Sequence, residues 1–258
     1  MKEHFQYIEL INTQAKMKMK AQANKLVLSY IWWVLEPLLL ISLFYLVFGH
    51  ILQRGGDDFL SFLIIGKIIF TWFSKSVVSA SNSLPQNKGI IGQRALPKWI
   101  FPMVNIQESM YKSLFSFLIM FLLILNQGYE VTINWVQIIP LTAVMYIFIC
   151  SVGMFFSILV AIAKDFSNLI SLCMMGLMFG SGIFWDVNTL PNEELKHLIL
   201  KFNPLASLVS SYRDIMMHNQ WIDFNILLNV LLISFTILFS SLIFLRKYNN
   251  RITRSLFS

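Results

Sequence analysis

Six long apolar runs decide what this chain can fold into. They are Ile31–Leu52, Phe59–Ser81, Trp99–Leu125, Trp135–Ala163, Phe166–Trp185 and Phe224–Leu245. Each is bounded by charged or polar residues, proline or glycine. Each reaches the length of about 20 residues that a helix needs to cross the hydrocarbon core of a bilayer. Lipid offers the backbone no hydrogen-bond partners, so runs of this kind are read as helices. Composition agrees, with 57% of the 258 residues hydrophobic and only 13% charged. Soluble domains carry about 25% charged residues, and so few charges cannot cover a water-facing surface. The expected fold class is all-α: a polytopic integral membrane protein with six transmembrane helices. An N-terminal amphipathic interface helix precedes the spans, and two short outer helices precede the last one. Residues 1–258 read as one domain: 1–30 interfacial, 31–185 five spans, 186–223 outer helices, 224–245 the sixth span, 246–258 a cytoplasmic tail.

Residues 1–25 lack an apolar core and a small-residue cleavage site, so no signal peptide is expected there. Basic residues orient the spans. One side collects Lys2, Lys16, Lys18, Lys20, Lys25, Lys88, Arg94, Lys98, Lys164, Arg246, Lys247, Arg251 and Arg254; the other has only Arg54, Lys196, Lys201 and Arg213. That bias places both termini in the cytoplasm. It also accounts for the net charge of +7 without nucleic acid, for which no basic stripe interleaved with aromatics exists. Cys150 and Cys173 lie inside apolar runs and read as small buried hydrophobes.

Three segments between the spans carry further information. In Phe5–Lys25, Phe5, Ile8, Ile11, Ala15 and Met19 recur at helical spacing among lysines, which suits a helix on an anionic inner leaflet. The loop "NSLPQNKGIIGQRALPK", Asn82–Lys98, holds the apolar pair Ile90–Ile91 between glycines and could dock on a soluble partner. The outer stretch Asp186–Asp223 carries helical periods in "ELKHLILKF" and "PLASLVSSYRDIMMHN", broken at Asn203–Pro204. Asn followed by Pro is a helix start, so two short helices meeting at a turn are expected.

Charges inside the spans pose the sharpest question, because a charge at the centre of a lipid-facing helix costs about 2.5–3.5 kcal/mol. At about 100° per residue, Lys67, Thr71, Ser74, Lys75, Ser81 and Asn82 share one stripe of the second helix. That stripe should face protein or water. Depth along the helices matches Lys75 with Glu108 of the third span, so these two are expected to pair. Glu36, beside Pro37 in the first span, is expected to pair with a neighbouring base or bond the kink. Lys67 and Lys112 have no acid at matching depth, and the expectation is a polar path for an anionic substrate.

The chain holds no Walker A motif, no zincin motif, no catalytic Ser/His/Asp arrangement and no metal-ligand cluster. It is expected to be no enzyme, to bind no cofactor, and to rely on another chain for energy.

Several stretches together resemble the membrane subunits of bacterial type-2 ABC exporters, most closely the capsular-polysaccharide and O-antigen permeases of the KpsM and Wzm type. They are "LSYIWWVLEPLLL", Leu28–Leu40; "NSLPQNKGIIGQRALPKWIFP", Asn82–Pro102; and "FNPLASLVSSYRDIM", Phe202–Met216. Ser29 stands where that family usually has Gly. The resemblance implies a homodimer with two copies of a separate ABC ATPase, which binds ATP and Mg. It implies a lipid-linked polysaccharide as cargo, membrane lipids as surroundings, and the bacterial inner membrane as location. It implies that Asn87, Lys88, Ile90, Ile91 and Arg94 couple to the ATPase. By the same resemblance Asn203, Pro204, Tyr212 and Arg213 belong to a periplasmic gate, and Phe44, Tyr45, Phe48, Phe179, Phe184 and Trp185 line the channel. Aromatic faces suit sugars, whose C–H faces stack on them. The rival expectations are a type-2 exporter of a drug or lipid, and a non-transporting membrane scaffold.

Overall fold

The computed structural model describes residues 2–25, 29–53, 56, 58–93 and 96–257, and among these no strand occurs. Arg54, Arg94 and Leu28 lie outside the described residues, as do the side chains of Lys2 and Ser29. Twelve helices follow one another along the described chain. They are α1 (Lys2–Ala23), α2 (Trp32–Phe44), α3 (Phe59–Ser81), α4 (Ser83–Gln86), α5 (Lys88–Gln93), α6 (Ile100–Asn126), α7 (Ile138–Ile162), α8 (Phe166–Gly180), α9 (Glu193–Phe202), α10 (Pro204–Met216), α11 (Phe224–Lys247) and α12 (Asn249–Phe257). A widened π-helical stretch, Tyr45–Ile51, continues α2, and a 3-10 segment, Ile133–Gln137, leads into α7.

Among the described residues five helical stretches are long and apolar enough to span a bilayer: Trp32–Ile51, Phe59–Ser81, Ile100–Asn126, Ile133–Ile162 and Phe224–Lys247. The sixth expected run is shorter. α8 has 15 residues, about 22 Å at 1.5 Å per residue, against a core about 30 Å thick. The cause lies in Gly180 and Gly182. Gly182 adopts φ +68°, a left-handed conformation that stops the helix and that only glycine takes freely. The chain then turns inward, burying Ile183 and Phe184.

Helix α3 is the hub. It is apolar nearly all round, as a helix enclosed on every side must be, and Leu63, Ile64, Ile65, Ile68 and Ile69 are sealed from solvent. Helices α2, α6, α7, α8 and α10 pack around it. Helix α11 lies outside, against α7, and leaves Leu232, Phe235 and Phe239 uncovered.

One end of the bundle gathers α1, α4, α5 and α12, and with them most of the lysines and arginines. Helix α1 packs on the first turns of α6. Its buried side is Ile11, Ala15 and Ala23, with Tyr7 and Leu10 beside them, whereas Phe5 and Ile8 are exposed. The apolar stripe expected there is therefore rotated. Polar contacts fix it: Lys18 Nζ donates to Asn105 at 2.7 Å, and Tyr111 Oη donates to Asn12 at 3.1 Å. The C-terminal tail is not loose either. Within α12, Ile252 and Leu256 repeat at i, i+4 and join a cluster with Leu84, Phe101, Met154, Ile158 and Leu245. Phe257 closes over Gly92 of α5, and Lys88 Nζ lies 4.7 Å from its ring centroid.

At the opposite end α9 and α10 meet at Asn203, as the Asn–Pro step predicts. Asn203 caps α10 by accepting from the Ala206 N–H at 3.2 Å, and Pro204 occupies the first helical position. Helix α10 does not lie on the surface. It is buried along almost its whole length against α3 and α7, and Tyr212 Oη sits 2.8 Å from Thr142 Oγ1. Helix α9 has no buried residue.

Candidate functional site

The polar stripe of α3 faces protein, and it divides into two differently built halves. The outer half centres on Lys67, which is 6% exposed. Its Nζ lies 4.7 Å from the centroid of Phe44, 5.9 Å from that of Phe70, and 3.1 Å from Met178 Sδ. Among the described residues no carboxylate lies within ion-pair distance of it. A thioether is a weak acceptor, and a ring face attracts a cation by about 0.5–2 kcal/mol. The amine is thus held by polarizable groups rather than by a contacting carboxylate.

Aromatic rings of α2 and its π-helical continuation, of α8 and of the segment after it cluster beside it. Phe184 lies 4.8 Å from Phe44, 4.7 Å from Phe48 and 5.3 Å from Phe179, between centroids. Trp185 Nε1 donates to the Phe179 carbonyl at 2.8 Å, which satisfies one of the free carbonyls at the end of α8. Five of the six residues expected to line a channel therefore form one assembly. The sixth, Tyr45, turns away to Phe59 and His50. Over this assembly opens a cavity of about 440 Å³, lined by Phe59, Phe62, Phe184 and Trp185 together with Asp58, Asp186, Thr189 and His218.

Arg213 reaches the same region from α10. It is buried, and its guanidinium donates to the carbonyls of Phe62 at 3.2 Å, Gly182 at 2.7 Å and Ile183 at 3.2 Å. Its Cζ lies 3.3 Å from the Phe62 ring centroid. Gly66 makes room for it, since a Cβ there would collide with the guanidinium. Arginine suits this place because its planar fork can serve several carbonyls and stack on a ring at once.

The inner half of the stripe balances charge with charge. Lys75 Nζ meets Glu36 Oε2 at 2.6 Å, and Lys112 bonds Glu108 one turn below it on α6. The expected Lys75–Glu108 pair does not form, and Lys112 has an acid after all. Depth along the helix does not select the partner; azimuth does: α2 packs against both α3 and α6 and presents Glu36 to Lys75. Glu108 is taken by its own i, i+4 neighbour in the favourable Glu-before-Lys order. Lys112 also bonds Gln22 at the end of α1.

Of the residues expected to couple to a partner, Asn87 bonds back to the Ser83 carbonyl at 2.7 Å, Lys88 sits over Phe257, Ile90 is exposed and Ile91 half-buried. Arg94 lies outside the described residues. Of the expected gate residues, Asn203 also donates to Ser181 Oγ at 3.0 Å and to the Gly180 carbonyl at 3.3 Å, tying the α9–α10 turn to the end of α8. Sequence reasoning missed Met178, Phe62 and Gly66 as neighbours of the buried cations. Gly66 beside Lys67 was the available signal, since a glycine inside a buried helix marks a close approach.

Comparison with known proteins follows the same lines. Residues 12–217 match the family described as "ABC-2 type transporter". An O-antigen export system permease protein RfbA of Klebsiella pneumoniae is 27% identical over 220 residues, 84% of each chain. A protein of the same name from Myxococcus xanthus is 21% identical over 242 residues, 93% of this chain and 92% of its own. The polysialic acid transport protein KpsM of Escherichia coli is 23% identical over 204 residues, 78% of each. With most of its length matched by that family, and with five helices able to cross a bilayer, this chain belongs to the ABC-2 type transporters.

Proposed function

We propose that the protein is the permease subunit of an ATP-driven exporter that moves a lipid-linked polysaccharide out of the bacterial cytoplasm across the inner membrane. The observation that carries this reading is Lys67: a buried cation without a carboxylate, set among stacked rings below a cavity whose walls mix aromatic faces with Asp and Thr oxygens. Rings stack on sugar C–H faces, carboxylates and hydroxyls take sugar hydroxyls, and the Lys67 ammonium among the rings favours acidic chains or a phosphate-bearing lipid end. The relatives named for O-antigen export and polysialic acid transport support the same cargo class.

In this reading α8 with the segment to Trp185 makes the sixth crossing, both termini are cytoplasmic, and two copies of the chain face each other across α2 and α8. Two ABC ATPase subunits, which bind ATP and Mg, dock on α5 and on α1. Their closure moves α2 and α8 and opens the path, with α9 and α10 as the outer gate. The exposed Ile90 and the packing of α12 on α5 support a force-bearing role for that helix. The test is export in cells lacking the native gene. Lys67→Gln, present at normal membrane levels, should lower surface polysaccharide about tenfold or more, the factor set by roughly 1.4 kcal/mol. Unchanged export would refute the role of the seam. Ile90→Asp with Ile91→Asp should release a co-purifying ATPase; retention of the ATPase would refute the docking.

A further inference from the structure

A second cavity lies at the basic end of the bundle, between α2, α3 and α6, and the export path just described does not use it. Its volume is about 460 Å³, within the range of about 300–1,000 Å³ typical of ligand sites. Its charged walls are Glu36, Lys75, Glu108 and Lys112, and Trp32 and Trp33 stand at its side. Glu36 is four residues into α2 and Glu108 eight into α6, which sets them about 6 and 12 Å from the helix starts. Lys75 is half exposed and Glu36 a third exposed, so the pair is open to a ligand.

Charge balance selects the ligand. Two carboxylates and two ammonium groups make the lining neutral. A bound anion would leave the carboxylates facing it, and a bound cation would leave the lysines so; unpaired buried charge is costly in either case. A zwitterion satisfies both. A primary ammonium adds hydrogen bonds to the carboxylates, which a quaternary one cannot. Trp33 already faces a cation, Lys112 Nζ at 5.6 Å from its ring centroid. Above the cavity, Leu39 and Leu43 of α2 and Leu118 and Leu122 of α6 are all more than half exposed, offering apolar tracks for two acyl chains.

We propose that this cavity binds the headgroup of a phosphatidylethanolamine, its phosphate between Lys75 and Lys112 and its ammonium at Glu36 and Glu108. The site holds whether or not the cargo is a polysaccharide, because lipid retention is measured on the purified permease without ATPase or cargo. Protein exchanged into micelles with equimolar phosphatidylethanolamine, phosphatidylcholine and phosphatidylglycerol is analysed by native mass spectrometry. Phosphatidylethanolamine should be retained about tenfold over the other two, the ratio one charge-assisted hydrogen bond supplies. The Glu36→Gln, Glu108→Gln variant should turn the preference to phosphatidylglycerol. Ser109→Phe, which fills the cavity and keeps every charge, should abolish selectivity and serves where the double variant does not fold. Equal retention of the three lipids, a preference of the unmodified protein for the anionic or the choline lipid, or selectivity unmoved by Ser109→Phe would each overturn the proposal.

Discussion

Lys67 and Lys75 stand two turns apart on one helix and are accommodated in opposite ways. Lys75, half exposed, has a carboxylate at 2.6 Å. Lys67, at 6% exposure, has rings and a thioether. The contrast extends to their surroundings. Around Lys75, Lys112 and Glu108 form a second pair, so the inner half is neutral. Arg213, packed against Gly66 one residue before Lys67, is a second buried cation, and it is met by carbonyls and a ring, with no ion pair among the described residues. A protein that needed only to shelter lysines could have used acids throughout. The outer half instead sets two buried cations beneath a cavity walled by Asp58, Asp186 and aromatic rings, and that mixture is what suits it to a polyhydroxylated or acidic cargo.

The contrast breaks most severely at Arg213. Arg213→Ala leaves the buried Gly182 and Ile183 carbonyls without their side-chain donors. At about 1–3 kcal/mol for each unsatisfied group, thermal stability in detergent should drop enough that little folded protein is recovered. Gly66→Ala attacks the same contact from α3 and should cost less, about 1–3 kcal/mol as for overpacking generally, read as a lowered aggregation temperature.

How much of this was legible before the fold? Five of the six expected spans, the Asn203–Pro204 helix start and the single polar stripe of α3 could be read, because each depends on local spacing. Rise along each helix could be read, since 1.5 Å per residue holds along any helix, but it chose Glu108 for Lys75 and no acid for Lys112. Azimuth could not: whether Lys75 meets Glu36 or Glu108 depends on how α2 wedges between α3 and α6, which no spacing within one helix encodes. Length misled at Phe166–Trp185, where the apolar run continues past Gly180 but the helix does not, because Phe184 is apolar for packing on Phe44 and Phe48 rather than for lipid. The i, i+4 pair Ile252–Leu256 was visible in the tail, yet its partner surface is assembled from four other helices.

The smallest effects sharpen the contrast most. Lys75→Met should change stability by no more than about 1 kcal/mol, since exposed ion pairs contribute little. Lys67→Met should be neutral or slightly stabilising, because no carboxylate is stranded when the amine goes. The two variants should therefore melt alike and differ in export, with only Lys67→Met impaired. A stability loss confined to Lys67→Met would mean that the lysine is structural.

The charge that Lys67 brings to the outer seam can be measured directly by thiol chemistry. In a background with Cys150→Ala and Cys173→Ser, Met178→Cys places a thiol where a thioether now contacts Lys67. Membrane-impermeant methanethiosulfonates of the same size, one carrying a sulfonate and one a trimethylammonium, are then compared in rate. The account predicts that the anionic reagent reacts faster and that Lys67→Gln removes the difference. Equal rates in the presence of Lys67, or a faster cationic reagent, would contradict it.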